Sequence, residues 1–139
     1  MIRFVLDASI SLGWFVDDPV PPLATRVKER MIAGARALVP ALWHLEMANG
    51  FANAERRGIL SAADVDQSLD QVEQLLRGHI ESPGDFFGVR QAFAVARKFR
   101  LSAYDAAYLE TARLSGLALA TLDQQLRDAA ARAGVELLA

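Results

Sequence analysis

The chain has 139 residues, 53% of them hydrophobic, with a formal net charge of −2, no cysteine and two histidines. That length suits one globular domain, residues 1–139, able to bury about two-thirds of the surface its unfolded chain exposes. The composition excludes a disulfide framework, thiolate chemistry and a protein that grips nucleic acid by bulk positive charge.

The run Ile2-Arg3-Phe4-Val5-Leu6 is almost wholly apolar and rich in strand formers, which predicts a strand buried on both faces and ending at Asp7. Ser9 is placed to cap the helix that follows through Leu12, Trp14 and Phe15. An acidic, proline-rich connector, Asp17 to Pro22, leads to a helix over Leu23 to Ile32 closed by Gly34, and Ala37-Leu38-Val39 reads as a second strand stopped by Pro40. From Ala41 to Arg57 the period is helical, and Glu46, Asn49, Asn53 and Arg57 recur at spacings of three and four, so they share a face.

Ser61-Ala62-Ala63-Asp64 opens a further helix with a capping pattern, and Val65, Leu69, Val72 and Leu76 mark its core-facing stripe. His79 to Ser82 reads as a brief third strand, and Phe86, Val89, Phe93 and Ala96 carry the next helix toward the basic cluster Arg97-Lys98-Phe99-Arg100. In the helix from Leu101 to Ser115, Ser102 is the N-cap, Asp105 sits in the first turn, and Ala106, Tyr108, Leu109 and Ala112 form a wide apolar face. Leu117 to Thr121 is another apolar strand, Asp123 opens a helix over Gln124 to Arg132, and Val135 to Leu138 closes as a last short strand. Strands alternating with helices require crossovers, hence a mainly parallel sheet with helices on both faces.

In such sheets the cleft lies beyond the carboxyl ends of the strands. Asp7 and Asp123 each follow a predicted strand, while Glu46 and Asp105 lie near the starts of helices whose amino ends belong at the same edge. Four carboxylates gathered within a few ångströms would repel by roughly 4 kcal/mol per close pair at an effective dielectric of about 20, so they must bind protons or a cation. With no cysteine and no paired histidines, the donor set suits a hard ion such as Mg²⁺ or Mn²⁺ rather than zinc. Carboxylate-held Mg²⁺ keeps positions open for water and phosphate oxygens, which points to phosphodiester hydrolysis without a side-chain nucleophile.

Each acid also has a plainer reading, as does each cation. Asp105 completes a near capping box with Ser102, Asp123 caps its helix, and Arg56-Arg57 and the basic cluster are solvated helix ends. An aspartyl phosphatase wants a second acid two residues after the first, where this chain has Ser9; nucleotide binding wants a glycine-rich loop, and Asp7 to Leu12 has no glycine. His44 and His79 stand apart and are read as structural or surface residues.

The order Phe4-Val5-Leu6-Asp7-Ala8-Ser9, then Glu46 with Asn49, then Tyr104-Asp105-Ala106-Ala107-Tyr108-Leu109, then Ala120-Thr121-Leu122-Asp123-Gln124-Gln125-Leu126 resembles PIN-domain proteins, especially the VapC toxins of prokaryotic toxin–antitoxin pairs. The resemblance implies a three-layer α/β/α sandwich with a mainly parallel central sheet and a metal-dependent endoribonuclease. Carried over by position, Asp7, Glu46, Asp105 and Asp123 take the acidic tetrad around one or two Mg²⁺ or Mn²⁺ ions, Ser9 and Thr121 are supporting hydroxyls, and Asn49 is a polar neighbour of the glutamate. The family further implies an RNA substrate, a VapB-like antitoxin, a homodimer, and assembly with antitoxin into a larger complex that represses its own operon. Arg97, Lys98 and Arg100, just upstream of Asp105, are placed to border an RNA groove.

The expected compartment is the reducing cytoplasm: Met1 to Leu6 lacks the length and cleavage site of a signal peptide, and no apolar segment approaches a membrane span. Two other functions compete. One is a non-catalytic module of the same fold that binds antitoxin or nucleic acid. The other is a nuclease acting on structured DNA, which the small size disfavours.

Overall fold

The structure is a computed structural model that describes residues 2–84 and 88–139. Four strands, β1 (Arg3–Leu6), β2 (Arg36–Leu38), β3 (Ile80–Glu81) and β4 (Ala118–Ala120), form one sheet in the order β3-β2-β1-β4, with every neighbouring pair parallel. The central strand is β1, and Phe4, Val5 and Leu6 are all fully buried, as expected for a run without alternation.

Seven helices accompany these strands among the described residues: α1 (Ala8–Val16), α2 (Pro22–Ile32), α3 (Leu42–Arg56), α4 (Ala62–Gly78), α5 (Val89–Phe99), α6 (Ala103–Ser115) and α7 (Gln124–Ala133). α1 packs on α2 and α3, and α3 on α4; α6 packs on α5, α7, β1 and β4. The result is the three-layer α/β/α sandwich with a parallel central sheet.

The strand order decides where a cleft can open. The chain steps outward from β1 to β2 to β3, then crosses back to lay β4 on the other side of β1. The connections therefore diverge at the β1–β4 pair, and the crevice belongs beyond the carboxyl ends of those two strands. Leu6 lies opposite Ala120 in register, and the Asp7 amide donates to the Ala120 carbonyl at 3.0 Å. Whatever follows Leu6 and Ala120 must meet.

Four local expectations change. Ser9 is not a cap: α1 begins at Ala8, Asp7 occupies the N-cap position without a side-chain cap bond, and Ser9 lies in the first turn. The last strand shrinks to a single parallel bridge, Leu119 to Leu137, because the chain reaches β4 only through the bonds from the Leu119 amide to the Glu136 carbonyl and from the Leu138 amide to the Leu119 carbonyl. In the stripe expected on α4, Val72 alone is buried and Leu69 is 39% exposed, since α4 lies at the periphery of the sandwich. On α5 none of the apolar positions is buried, and Val89 and Phe93 are exposed; Phe86, read into the same helix, lies outside the described residues.

Candidate active site at the carboxyl edge of the sheet

Asp7 is set by β1 and held by β4. It is buried, and its Oδ2 accepts from Ser9 Oγ at 2.5 Å and from Thr121 Oγ1 at 2.7 Å. Both hydroxyl oxygens in turn accept backbone amides, Ser9 from Leu122 and Thr121 from Asp123, each at 3.0 Å. An amide can only donate, so it occupies one lone pair on each hydroxyl oxygen and leaves each hydroxyl proton available to donate to Asp7 Oδ2. Two hydroxyls thereby fix one carboxylate oxygen and leave Oδ1 clear of both. Burial pushes the Asp7 carboxyl above its ordinary range; the Ser9 and Thr121 hydroxyls pull it back, and the nearby Asp123 charge raises it again.

Glu46 comes from α3, which starts shortly after β2 ends, so its second turn overlooks the same edge. Its Oε1 accepts the Tyr108 hydroxyl at 2.7 Å. Burial raises the Glu46 carboxyl, the Tyr108 bond lowers it, and the Asp7 and Asp105 charges raise it. The Tyr108 hydroxyl is itself pushed up, first by burial, which keeps it protonated and donating.

Asp105 lies in the first turn of α6. Ser102 Oγ accepts the Asp105 amide at 3.0 Å, but the Asp105 carboxylate does not return a bond to the Ser102 amide. At Ser61 and Asp64 both halves of the capping box form. The comparison removes the capping-box explanation for the Asp105 side chain. Burial and the charges of Asp123 and Asp7 raise its carboxyl from 3.8 to about 6.

Asp123 follows β4 and does cap α7, its Oδ1 accepting the Leu126 amide at 2.9 Å. That bond uses one oxygen. The loop before it is anchored by Arg127, whose Nη1 donates to the Thr121 carbonyl at 2.9 Å.

Four acids from the β1, α3, α6 and β4–α7 segments thus feel one another's charge across the crevice predicted by the strand order. They do not stand as a closed ligand set: among the described residues no three Asp, Glu or His side chains converge closely enough to hold an ion as they are. The sequence reading gathered them within a few ångströms. Three of the four carboxylates are instead drawn to a neutral donor of their own, Asp7 to two hydroxyls, Glu46 to a phenol and Asp123 to an amide, while the Asp105 carboxylate has no hydrogen bond among the described residues. The donors are all hard oxygens, a set that fits Mg²⁺ or Mn²⁺.

Of the remaining sequence candidates, Asn49 is exposed on α3, one turn beyond Glu46. Arg97 and Lys98 are exposed in the last turn of α5, with the Arg97 guanidinium 4.9 Å from the Phe93 ring centre and Lys98 Nζ 5.4 Å from that of Phe99. Arg100 caps α5 in the left-handed conformation at φ 55°, two residues before Ser102. None of the three forms a salt bridge among the described residues. His44 bonds Ser82 Oγ at 2.7 Å, a surface contact.

Two residues escaped the sequence reading. Tyr108 was counted only as apolar surface of α6, although a phenol in a buried stripe requires a polar partner. Glu110, 4% exposed on the same helix, accepts two bonds from Arg113 and one from Gln91, which ties α6 to α5. Its signal was an acid three residues before an arginine on an otherwise apolar face.

The sequence pattern of the PIN domain is matched over residues 4–132. Ribonuclease VapC3 of Pyrobaculum aerophilum is 30% identical over 129 residues, which span 91% of this chain and 94% of that protein. The crystal structure of PAE2754 from Pyrobaculum aerophilum superposes with a TM-score of 0.69 at 22% identity, covering 92% of this chain and 84% of the other. FitAcB from Neisseria gonorrhoeae superposes at 0.61 with 18% identity over 98% and 96% of the two chains.

Proposed function

Since the chain belongs to the PIN-domain family, we propose that it is a VapC-type endoribonuclease, the toxin of a toxin–antitoxin pair, hydrolysing RNA phosphodiester bonds with Mg²⁺ or Mn²⁺ at Asp7, Glu46, Asp105 and Asp123. The observation that carries the reading is the arrangement of these four acids at the β1–β4 switch point, where burial and mutual charge raise three of the carboxyls. A crevice that holds anions against their own repulsion is one that a divalent cation relieves.

One or two divalent ions bound here would activate water and neutralise charge at the scissile phosphate. The chain's own residues supply placement. Ser9 and Thr121 lock Asp7, Tyr108 engages Glu46, and the α7 cap orients Asp123, while the Asp105 carboxylate, free of hydrogen bonds among the described residues, can turn toward a ligand. Asn49 is read as a further polar contact near Glu46, and Arg97, Lys98 and Arg100 as cations that steer RNA toward the amino end of α6.

The single domain spans residues 1–139, works in the cytoplasm as a homodimer and is silenced by a VapB-like antitoxin. Its relative's name, Ribonuclease VapC3, supports both the substrate class and the toxin role. A second reading, a non-catalytic antitoxin- or nucleic-acid-binding module of the same fold, draws on the Asp123 cap bond, which gives that acid a structural task. The test is cleavage of total cellular RNA by antitoxin-free protein with Mg²⁺ or Mn²⁺, with chelator, and with Asp7→Asn. Discrete fragments that require both metal and Asp7 support the nuclease; no fragments from folded protein under any condition favour the binding module.

A further inference from the structure

Tyr108 is among the largest side chains with no solvent exposure, and its helix neighbours in the core are Ala106, Ala107, Leu109 and Ala112. At such a position a hydroxyl costs free energy unless it is bonded, and phenylalanine would fill nearly the same space without that cost. The hydroxyl oxygen lies 3.4 Å from the Ala8 amide and 2.7 Å from Glu46 Oε1. The amide can only donate, so it takes an oxygen lone pair, and the single phenol proton is left for Glu46. The chain of bonds runs one way: from the first amide of α1, beside Asp7, through a side chain of α6, to a carboxylate of α3.

We infer that Tyr108 is a positioning residue of the metal site: by holding Glu46 Oε1 it restrains the carboxylate that would hold a divalent ion, leaving Oε2 without a hydrogen bond among the described residues. The inference rests on the reading of Glu46 as a metal ligand. A glutamate on three rotatable bonds loses that freedom when it closes on an ion; a rigid phenol that already holds one oxygen removes part of the loss beforehand. Outer partners of this kind typically set ~10–100-fold in metal affinity. If Glu46 were present merely to satisfy the buried phenol, the same bond would have no bearing on metal.

The experiment is titration with Mn²⁺ alone, following free Mn²⁺ by electron paramagnetic resonance, for the parent, Tyr108→Phe, Glu46→Gln and the double variant, each checked by its urea unfolding transition. Tyr108→Phe is expected to keep a cooperative transition and to weaken Mn²⁺ binding about 10-fold or more. In the Glu46→Gln background the same change is expected to add nothing, because the phenol acts through that carboxylate. Three results overturn the inference while leaving the metal-site reading intact: parent-like binding by Tyr108→Phe, equal weakening in both backgrounds, or loss of the cooperative transition, which would assign the phenol to folding alone. A parent protein that takes up no Mn²⁺ overturns the metal-site reading and this inference with it.

Discussion

Replacing Thr121 by valine removes one hydroxyl from a fully buried position and keeps the shape. Two bonds go with it, the donation to Asp7 Oδ2 at 2.7 Å and the acceptance from the Asp123 amide at 3.0 Å. A bond to an ionised carboxylate contributes ~1.5–3 kcal/mol, and an amide left to a partly wet loop costs ~1 kcal/mol more, so the expected loss at pH 8 is about 2–4 kcal/mol. With an intermediate urea slope of ~2 kcal/mol/M, the unfolding midpoint should fall by roughly 1–2 M.

The pH dependence has a definite sign. The hydroxyl favours the ionised form of Asp7, so its removal raises the carboxyl further, and the variant's deficit is greatest where Asp7 is charged. On acidification Asp7 takes up a proton, the lost bond becomes an ordinary neutral one of ~0.5–1.5 kcal/mol, and the deficit shrinks. Thr121→Ser keeps the hydroxyl and loses only a buried methyl, ~1 kcal/mol at either pH. Urea unfolding of parent, valine and serine forms at pH 8 and pH 5 checks this. A valine variant within ~0.5 kcal/mol of the parent at pH 8, in the range of an unremarkable surface change, would refute the description of Thr121 as the clasp on Asp7.

Asp105, raised from 3.8 to about 6 by burial and then by the Asp123 and Asp7 charges, lets the folded chain bind more protons than the unfolded one in that interval. Its stability contribution is therefore full below 3.8 and lost as pH rises through about 6, so metal-free protein should melt higher at pH 5 than at pH 7.5, with the difference reduced in Asp105→Asn; melting curves in chelator showing no such reduction would contradict it. Asp123→Asn should keep the α7 cap, since asparagine caps as well as aspartate, so differential scanning fluorimetry should show apo stability unchanged or raised and the Mn²⁺-induced shift reduced. Gly50→Ala would put a Cβ 2.4 Å from Leu12 Cδ2 where α3 meets α1; overpacking of ~1–3 kcal/mol opposes the ~0.5–1 kcal/mol that alanine gains inside a helix, so chemical denaturation should register a net loss, and a variant as stable as the parent would contradict it.

What could be read from the sequence was what depends on pattern. The apolar runs at Phe4-Val5-Leu6 and Leu117-Ala118-Leu119-Ala120 needed no partner to be recognised as buried parallel strands, and Ser102, Ser61 and Gly116 marked helix ends by local backbone chemistry. Because parallel strands share a carboxyl edge, those assignments already brought Asp7 and Asp123 together. The strand order was not legible: nothing local says that β4 lies beside β1 rather than beside β3, a choice made by the α5–α6 crossover.

Misreadings arose where two local chemistries compete. Ser9 has the composition of a cap, yet its hydroxyl meets Asp7 and the Leu122 amide, contacts created only when β4 docks. Asp105 has the spacing of a capping box, yet its half-buried side chain leaves the box half-made, making no bond to the Ser102 amide. Tyr108 was invisible as a polar group because helical periodicity counts it with leucine. Only the tertiary approach of α1 and α3 gives its hydroxyl an amide to accept and a carboxylate to donate to.

The central claim is that Asp7, Glu46, Asp105 and Asp123 act as one metal-dependent centre. Single-turnover RNA cleavage in Mn²⁺ by Asp7→Asn, Glu46→Gln, Asp105→Asn, Asp123→Asn and the quadruple variant tests it most directly, since residues that act as a unit give losses that do not add. The prediction is a loss of ~10² or more from each single change, with the quadruple variant little worse than the weakest single one. Losses that sum across the four sites, or any one variant cleaving at the parent rate, would contradict it.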